Sequence, residues 1–437
     1  MIASFTRNST AHLQNGTLVN TNLPRFEAGR FAQAVMVEEW TTNLLTANQS
    51  SVEDGTTTGF FFLGTAVLSS VTTDKWQGNN CIQAVLPGLH PFTEGLVVGG
   101  VSGSAGTIFT GSLYFKAPQG ISFQILLRRE LALDFASIVL VSTGVWQRVN
   151  LQHTLGATTT NLNLTIRTVN AQAITFWVDG LQIEQRAYAT SWQLGGTRRA
   201  AEVLTIPTAG VLSPTEGTIE FNSFVTVRNA LNGGCLFSFG VAVSANRLDF
   251  WHDSLNTVGW FDGVAWTTSA PRTIVGVWRQ YAFTWGLFGT RLYIDGVLAA
   301  FSNRVVRTEQ VGANLMIGNY TGNHFAANSL IDDLRISNRA RTDQEIADAF
   351  ASGQPLPIDD STTALYNYNG LITSQVFRHT GNTPAIVVPK GVVNPGLAYT
   401  GHTTVETIPK ALFGNPIRIK SPTHAIIKDS RTRVVIE

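Results

Sequence analysis

The sequence predicts an all-β protein built of sandwiches, and three observations support this fold class. Charged residues make up only 14% of the 437 residues, and glycine occurs 40 times. Short apolar or alternating runs recur along the chain, and Gly, Asn, Asp or Pro separates most of them. Asp-Gly pairs at 179–180, 262–263 and 295–296 are typical of two-residue hairpin turns. Short strands at this spacing indicate antiparallel sandwiches rather than alternating βα units.

Composition excludes two classes of partner. Lys plus Arg number 30 and Asp plus Glu number 29, so the formal net charge is +1. A chain this neutral has no large basic surface for nucleic acid and no polybasic membrane anchor. Its longest apolar runs, such as 60–63 and 138–141, are far shorter than the roughly 20 residues of a membrane span. Residues 1–16 lack the apolar core of a signal peptide, so we expect synthesis in the cytoplasm and no membrane insertion.

The chain divides into four stretches. Residues 1–42 mix short strand-like pieces with turns, including an Asn-Gly hairpin signal. Residues 43–205 hold repeated strand runs, and residues 206–370 show the clearest alternation. We predict two sandwich domains here, preceded by an N-terminal attachment segment. Residues 371–437 are predicted to be a strand-rich extension that pairs with a neighbouring domain or subunit, because so short a segment buries little core alone.

One helix interrupts the strand pattern near residue 342. Thr342 and Glu345 have the spacing of a capping box, in which each side chain bonds a backbone N–H of the first turn. Ile346 and Phe350 fall four positions apart on one face, and Gly353 marks the end. The sequence therefore predicts a short helix between these signals.

A series of motifs runs in fixed order through residues 206–370. Its pieces are Gly217-Thr218-Ile219-Glu220-Phe221, Gly276-Val277-Trp278, Leu292-Tyr293-Ile294-Asp295-Gly296-Val297, Leu315-Met316-Ile317-Gly318 and Ile331-Asp332-Asp333-Leu334. With the capped helix, this order resembles the concanavalin-A-like, laminin-G-like jelly roll. The resemblance implies that this stretch is a jelly-roll β-sandwich.

A second series of motifs runs through residues 43–198. Its pieces are Asn43-Leu44-Leu45, Val52-Glu53-Asp54-Gly55, Leu113-Tyr114-Phe115-Lys116, Val145-Trp146-Gln147 and Trp177-Val178-Asp179-Gly180. They resemble the carbohydrate-binding-module type of jelly roll found in extracellular and phage proteins. The two resemblances together predict an all-β chain of two tandem jelly-roll β-sandwiches, with N-terminal and C-terminal strand-rich extensions.

The carbohydrate-binding-module resemblance also implies a candidate metal site. In such domains, acids at the places of Glu53 and Asp179 often hold a structural calcium. Asp179 precedes Gly180, where those domains often have a second Asp, so Asp179 has the alternative role of forming a turn. Asp332 is a further candidate calcium ligand, since hard cations bind carboxylates beside loop carbonyls. Hydrogen bonding to backbone is its alternative role.

Two further groups of residues point to a class of protein. The N-terminal run Ser4-Phe5-Thr6-Arg7-Asn8 with Pro24-Arg25-Phe26, and the later Ala189-Thr190-Ser191-Trp192 with Arg198-Arg199, resemble sequences of phage tail-fibre and related virion proteins. This resemblance implies a bacteriophage virion structural protein, such as a tail fibre, head fibre or surface decoration. Its implied partners are other virion proteins and copies of itself in a homotrimer, and its implied location is the virion.

Trp251, Trp260 and Trp266 are candidate glycan-binding residues. They lie within sixteen positions of one another among polar neighbours. Sugar sites use flat aromatic faces ringed by hydrogen-bonding groups, so host-surface glycan is a candidate ligand. The alternative is a place in the core, because large aromatics at strand spacing are usually buried.

Asp332 and Asp333 are the best candidates for the paired acids of glycoside hydrolysis. Successive residues of a strand point to opposite faces, so these two do not flank one bond. The chain contains no Gly-x-Ser-x-Gly, P-loop or His-Glu-x-x-His motif. We therefore expect a protein without enzyme activity. A host-glycan adhesin is the alternative function, and a polysaccharide depolymerase is a weaker one.

Overall fold

The computed structural model describes residues 3–129, 134–227, 233–240, 246–320, 325–368, 417–419 and 434–436. The N-terminal segment, up to residue 42, forms six short strands: β1 (Ser4–Thr6), β2 (Ala11–His12), β3 (Leu18–Val19), β4 (Arg25–Ala28), β5 (Gln33–Val37) and β6 (Thr41–Thr42). Helix α1 and ten strands follow: α1 (Ala47–Ser51), β7 (Phe60–Leu63), β8 (Val67–Val71), β9 (Cys81–Leu86), β10 (Gly95–Gly103), β11 (Ile108–Lys116), β12 (Ser122–Arg129), β13 (Phe135–Val141), β14 (Gln147–Thr154), β15 (Thr159–Thr168) and β16 (Ile174–Glu184).

The remaining described elements are again mostly strands. They are β17 (Arg198–Arg199), β18 (Val203–Pro207), β19 (Gly217–Val225), β20 (Gly234–Gly240), β21 (Arg247–His252), β22 (Val258–Phe261), β23 (Trp266–Thr268), β24 (Trp278–Gly286), β25 (Gly289–Ile294), β26 (Val297–Ser302), a 3-10 turn (Thr308–Gln310), β27 (Asn314–Ile317), β28 (Ser329–Ser337), α2 (Asp343–Ala351), β29 (Thr362–Tyr366), β30 (Ile417–Ile419) and β31 (Val434–Ile436). Neither helix of the described chain has the length and apolarity needed to cross a membrane.

The first sandwich consists of two five-stranded antiparallel sheets. Sheet 1 has the strand order β13-β12-β15-β10-β7, and sheet 2 has the order β14-β11-β16-β9-β8. Alternate residues of each strand point inward and form one apolar core, which includes Phe115, Phe123 and Phe176. The rings of Phe115 and Phe123 meet edge to face at 4.6 Å.

The second sandwich also consists of two sheets. Sheet 3 has the order β1-β18-β27-β20-β21-β22-β23, and sheet 4 has the order β26-β25-β24-β19-β28-β5-β4, with β29 added beside β28. Their shared core is rich in aromatic rings, including the fully buried Trp260 and Trp285. The predicted all-β architecture of two tandem sandwiches is therefore confirmed.

The N-terminal segment belongs structurally to the second sandwich. Strand β1 pairs with β18, so that Phe5 faces Leu204, and β5 pairs with β28, so that Val35 faces Ile331. The segment thus supplies strands to sheet 3 and to sheet 4. Its predicted role in attachment stays a prediction.

Of the Asp-Gly pairs predicted to form two-residue hairpin turns, one does so and another does not. Asp295 and Gly296 both have positive φ, 52° and 77°, and join β25 to β26 as the predicted two-residue turn. Asp179 and Gly180 instead lie inside β16, where the pairing with β11 shifts at a β-bulge. The prediction of a hairpin turn at 179–180 was therefore wrong. Gly180 is required there because a Cβ would lie 2.7 Å from the Trp76 ring.

The predicted helix is confirmed, whereas most of the C-terminal extension lies outside the described residues. Thr342 caps α2 in a full capping box with Glu345, and Ile346 is the buried residue of its inner face. In the extension, only β30 and β31 are described, and they pair with each other in parallel. The predicted pairing of 371–437 with a neighbouring domain falls outside the described part of the chain.

Five buried charged side chains join the N-terminal segment to the stretch between the sandwiches. Arg25 pairs with Glu202 at 2.7 Å and with Glu38 at 2.6 Å. Arg7 also pairs with Glu202, at 2.8 Å, and Arg199 with Glu38, at 2.6 Å. We call this cluster the charged joint. Loss of one member of the charged joint should be strongly destabilising, because it leaves a buried charge without its partner.

Candidate functional site

The three candidate tryptophans lie on adjacent strands at one end of sheet 3, but they do not share a face. Strands β21, β22 and β23 pair in that order, with Trp260 opposite Phe250 and Trp266 opposite Phe261. Side chains alternate between faces along each strand. Trp260 and Phe250 point into the core, whereas Trp251, Phe261 and Trp266 lie on the outer face.

Trp260 cannot present its ring to a ligand. Its side chain is fully buried, and its ring meets that of Phe283 edge to face at 5.4 Å inside the core. The glycan-binding hypothesis is therefore corrected for Trp260, which takes the alternative role in the core. Polarity of its neighbours in sequence was a poor guide, since adjacent strand residues face opposite ways.

The outer-face rings form a continuous group that we call the aromatic platform, made of Trp251, Phe261, Trp266, Tyr320 and Phe325. The Trp266 ring is 54% exposed and lies 5.5 Å from the Phe261 ring and 6.3 Å from the Trp251 ring. Trp251 in turn lies 5.8 Å from Tyr320 and 5.3 Å from Phe325. The platform combines an exposed indole with rings held in place by their neighbours.

Charged groups border the platform on β21. The guanidinium of Arg247 lies 4.6 Å from the centre of the Phe261 ring, and its Nε lies 2.7 Å from Asp249 Oδ2. Burial raises the pKa of Asp249 to about 6, although Arg247 favours its charged form. This pair places hydrogen-bonding groups beside flat apolar faces, the combination that sugar recognition needs.

The pair Arg247 and Asp249 was missed by sequence reasoning, although a signal was present. Both residues alternate with Trp251 along β21, so all three share one face. The polar residues that follow Trp251 in sequence stabilise loops instead. Asp253 accepts N–H bonds from Leu255 and Thr257, both at 2.8 Å, within its own turn.

Glu53 and Asp179 come close to the same loop of the first sandwich. Asp179 is fully buried and accepts hydrogen bonds from the backbone N–H groups of Trp76, Gln77 and Gly180 at 3.2, 3.1 and 2.7 Å. Glu53 accepts the N–H of Asn79 at 2.9 Å. Burial, with the nearby charge of Glu53, raises the pKa of Asp179 to about 8, against the effect of its N–H bonds.

This donor set does not fit a calcium ion well. Calcium binds six to eight oxygens, including carbonyls, whereas the groups that face Asp179 here are N–H donors with positive ends toward the carboxylate. No group of three or more His, Cys, Asp or Glu that could hold a metal occurs among the residues the structure describes. The geometry of Glu53 and Asp179 fits the anchoring of a loop by its backbone.

Asp332 lies in the other sandwich, apart from Glu53 and Asp179. Its Oδ2 accepts the N–H of Phe31 at 2.8 Å, and burial raises its pKa. The neighbouring Asp333 bonds the N–H of Leu356 on a different element, and burial raises its pKa to about 7. The two acids therefore hold separate segments and do not flank a common cleft.

Comparison with known proteins gives one family match and several similar folds. No curated protein matches the chain. Among solved structures, the CBM22-1 xylan-binding domain of Xyn10C from Paenibacillus barcinonensis is 18% identical, with 35% of this chain and 99% of that chain covered and a TM-score of 0.28. Its CBM22-1-CBM22-2 tandem domain is 15% identical, with 69% and 99% covered and a TM-score of 0.28.

A SAP-like pentraxin from Limulus polyphemus is 16% identical to this chain, with 36% of this chain and 77% of that chain covered and a TM-score of 0.28. At these TM-scores the similarities carry no argument about function. The family match concerns the second sandwich. Residues 212–347 match the model of the concanavalin A-like lectin/glucanases superfamily, so this part of the chain is similar to that family.

Proposed function

We propose that this chain is a non-catalytic glycan-binding protein and that its ligand lies on the aromatic platform. The observation behind the proposal is the 54% exposed ring of Trp266, on one face with Trp251 and Phe261 and beside the Arg247–Asp249 pair. Sugar rings present C–H groups to aromatic faces and hydroxyls to charged groups at their edge. The match of residues 212–347 to a superfamily of lectins and glucanases is consistent with this ligand class.

We also propose that the chain does not hydrolyse the glycan that it binds. Hydrolysis by two acids needs carboxyl groups about 5–9.5 Å apart on either side of one bond. On the platform, Asp249 is engaged by Arg247. If the purified chain released reducing ends from host envelope polysaccharide, the chain would instead be a polysaccharide depolymerase.

A glycan array probed with the full chain tests the platform. We expect Trp266→Ala to weaken binding at least about fivefold, because a lost aromatic contact removes ~1 kcal/mol. Phe288→Ala is the matched control, since Phe288 is 76% exposed in the turn between β24 and β25. Glycan binding that survives Trp266→Ala unchanged would contradict the proposal.

We also propose a structural role in a bacteriophage virion, as a tail fibre, head fibre or surface decoration that assembles with copies of itself. What supports it is the tail-fibre resemblance of segments that include Arg7, Arg25 and Arg199, the three arginines of the charged joint. Gold-labelled antibody against the chain, viewed on intact particles, tests this role. Labelling of the particle surface is expected, and unlabelled particles would contradict it.

A further inference from the structure

The outer face of sheet 1 contains a buried arginine that has no counter-charge among the described residues. Along β12, Phe123, Ile125 and Leu127 point into the core, so Arg128 lies on the opposite, outer face. Arg128 is only 8% exposed. Its Nε and Nη2 atoms are buried and have no hydrogen-bond partner in the part of the chain that the structure describes.

The neighbours of Arg128 across the sheet are uncharged. The register places Phe135 of β13 on one side of it and Asn163 of β15 on the other. Asn163 is already engaged, since its Oδ1 accepts the N–H of Gly100 and its Nδ2 donates to the carbonyl of Asn161, both at 3.1 Å. Neither neighbour therefore supplies the missing acceptor.

A second arginine lies on the same face. Arg167 of β15 donates to Gln124 Oε1 at 2.7 and 2.9 Å, and its guanidinium lies 5.6 Å from the Phe92 ring. Leu126 and Thr165, which face each other between the two arginines, are buried, and the Oγ1 of Thr165 has no hydrogen-bond partner within the described ranges.

The two arginines are the charged groups of this face. Strands β7, β10, β12, β13 and β15 add no carboxylate to it among the described residues. Burial lowers the pKa of both arginines, and the charge of Arg167 lowers that of Arg128 further. Arginine nevertheless stays protonated in proteins, so the face holds a positive charge with hydrogen-bond donors unused.

A buried, unpaired cation is strongly unfavourable, and proteins normally pair it or lose it. An anionic ligand is the partner that would satisfy the free donors of Arg128. Planar guanidinium groups suit carboxylates because two N–H groups match two oxygens. Phe135 and Phe92, 40% and 41% exposed, border the arginines with apolar faces of the kind that sugar rings contact.

We propose that the outer face of sheet 1 binds an acidic polysaccharide and that Arg128, assisted by Arg167, receives the carboxylate of a sugar acid. This site lies in the first sandwich and does not depend on the aromatic platform of the second. It would give the chain two glycan sites of different charge preference.

Calorimetric titration of the full chain with polygalacturonate, and with the same polymer after reduction of its carboxyl groups, tests the proposal. We expect binding of the acidic polymer, weakened by salt, and no binding of the reduced one. Arg128→Gln should lower the affinity at least about tenfold, because a charge-assisted bidentate contact is lost. Arg129→Gln is the matched control, because Arg129 already pairs with Asp134 at 3.1 Å.

Arg128→Met separates a binding role from a structural one. Removal of an unpaired buried charge should leave the melting temperature unchanged or raise it, while polygalacturonate binding is lost. Equal binding of the reduced polymer, or full affinity in Arg128→Gln, would overturn the proposal. Trp266→Ala should keep polygalacturonate binding. If glycan binding at the aromatic platform is disproved, this experiment still tests the site on sheet 1.

Discussion

At the scale of the residue, the carboxyl group of Asp179 anchors a loop of the first sandwich through hydrogen bonds. It lies inside the bulge of β16 and accepts three backbone N–H bonds, two of them from the loop residues Trp76 and Gln77. The ring of Trp76 stacks on that of Tyr114 at 3.5 Å and meets that of Trp192 at 5.6 Å. One acid thus fixes the loop that positions an aromatic stack.

We expect Asp179→Asn to lower the free energy of unfolding by about 2 kcal/mol, because the amide oxygen can replace only the oxygen that Trp76 and Gln77 share, and the amide NH2 then faces the N–H of Gly180. Urea unfolding measures this loss, and Asp74→Asn, at an exposed acid near the same loop, should change it little. Chelation with EDTA should leave the melting temperature unchanged. A fall that calcium reverses would contradict this and support the calcium site that the resemblance implies.

Individual residues also explain why the candidate site was only partly predictable from the sequence. Trp251, Trp260 and Trp266 look alike in sequence, yet only strand alternation decides which ring faces solvent, and the sequence does not say which face is inward. Asp179-Gly180 and Asp295-Gly296 are the same dipeptide. Asp179-Gly180 is a bulge because β11 pairs with it, Tyr114 lying opposite Asp179 from 65 positions earlier, which no local pattern reports.

At the scale of the element, β13 is an unusual edge strand. It borders sheet 1, contains no charged residue, and leaves Val139 and Val141 each 57% exposed. Edge strands normally carry Lys or Pro, which prevent pairing with another chain. Such an edge is suited to contact between copies of this chain.

We expect Val141→Lys to shift the chain toward smaller species, because a charge on the edge opposes strand pairing between copies. Sedimentation velocity measures the size distribution. Leu255→Lys is the control, at a residue 71% exposed in the turn after β21. An unchanged distribution would show that β13 does not take part in assembly.

Elements with purely local signals were the predictable ones. Helix α2 was predicted because Thr342 and Glu345 cap it from within one turn. Helix α1 has the same kind of box, formed by Thr46 and Gln49, but its five residues hold no amphipathic pattern that would draw attention to it. Local chemistry therefore identified the cap of α2 and the turn at Asp295-Gly296, and tertiary pairing decided the rest.

At the scale of the whole molecule, the charged joint should make stability depend on pH. Arginines lower the pKa of Glu38 and Glu202, so their stabilisation is complete above about pH 4.5 and is lost below it. Burial and the same arginines lower the pKa of His12 from 6.5 to about 4. The unfolded chain therefore takes up a proton first, and stability falls as the pH drops from 6.5 toward 4.

We expect the free energy of unfolding to fall by about 2 kcal/mol across that interval through His12 alone. Urea unfolding at a series of pH values measures it. His12→Gln should remove most of this fall, whereas His90→Gln, at an exposed histidine, should not. A flat profile between these pH values in the unaltered chain would contradict the assignment.

The pairing of β1 and β5 also sets an order of events during synthesis. Ser4 meets Thr205 across 201 positions, and Phe31 meets Asp332 across 301. The N-terminal strands therefore leave the ribosome long before their partner strands are synthesised. The first sandwich, in contrast, has all of its strands once residue 184 has been synthesised. The second sandwich encloses the first in the sequence, and we therefore expect the first sandwich to close before the second.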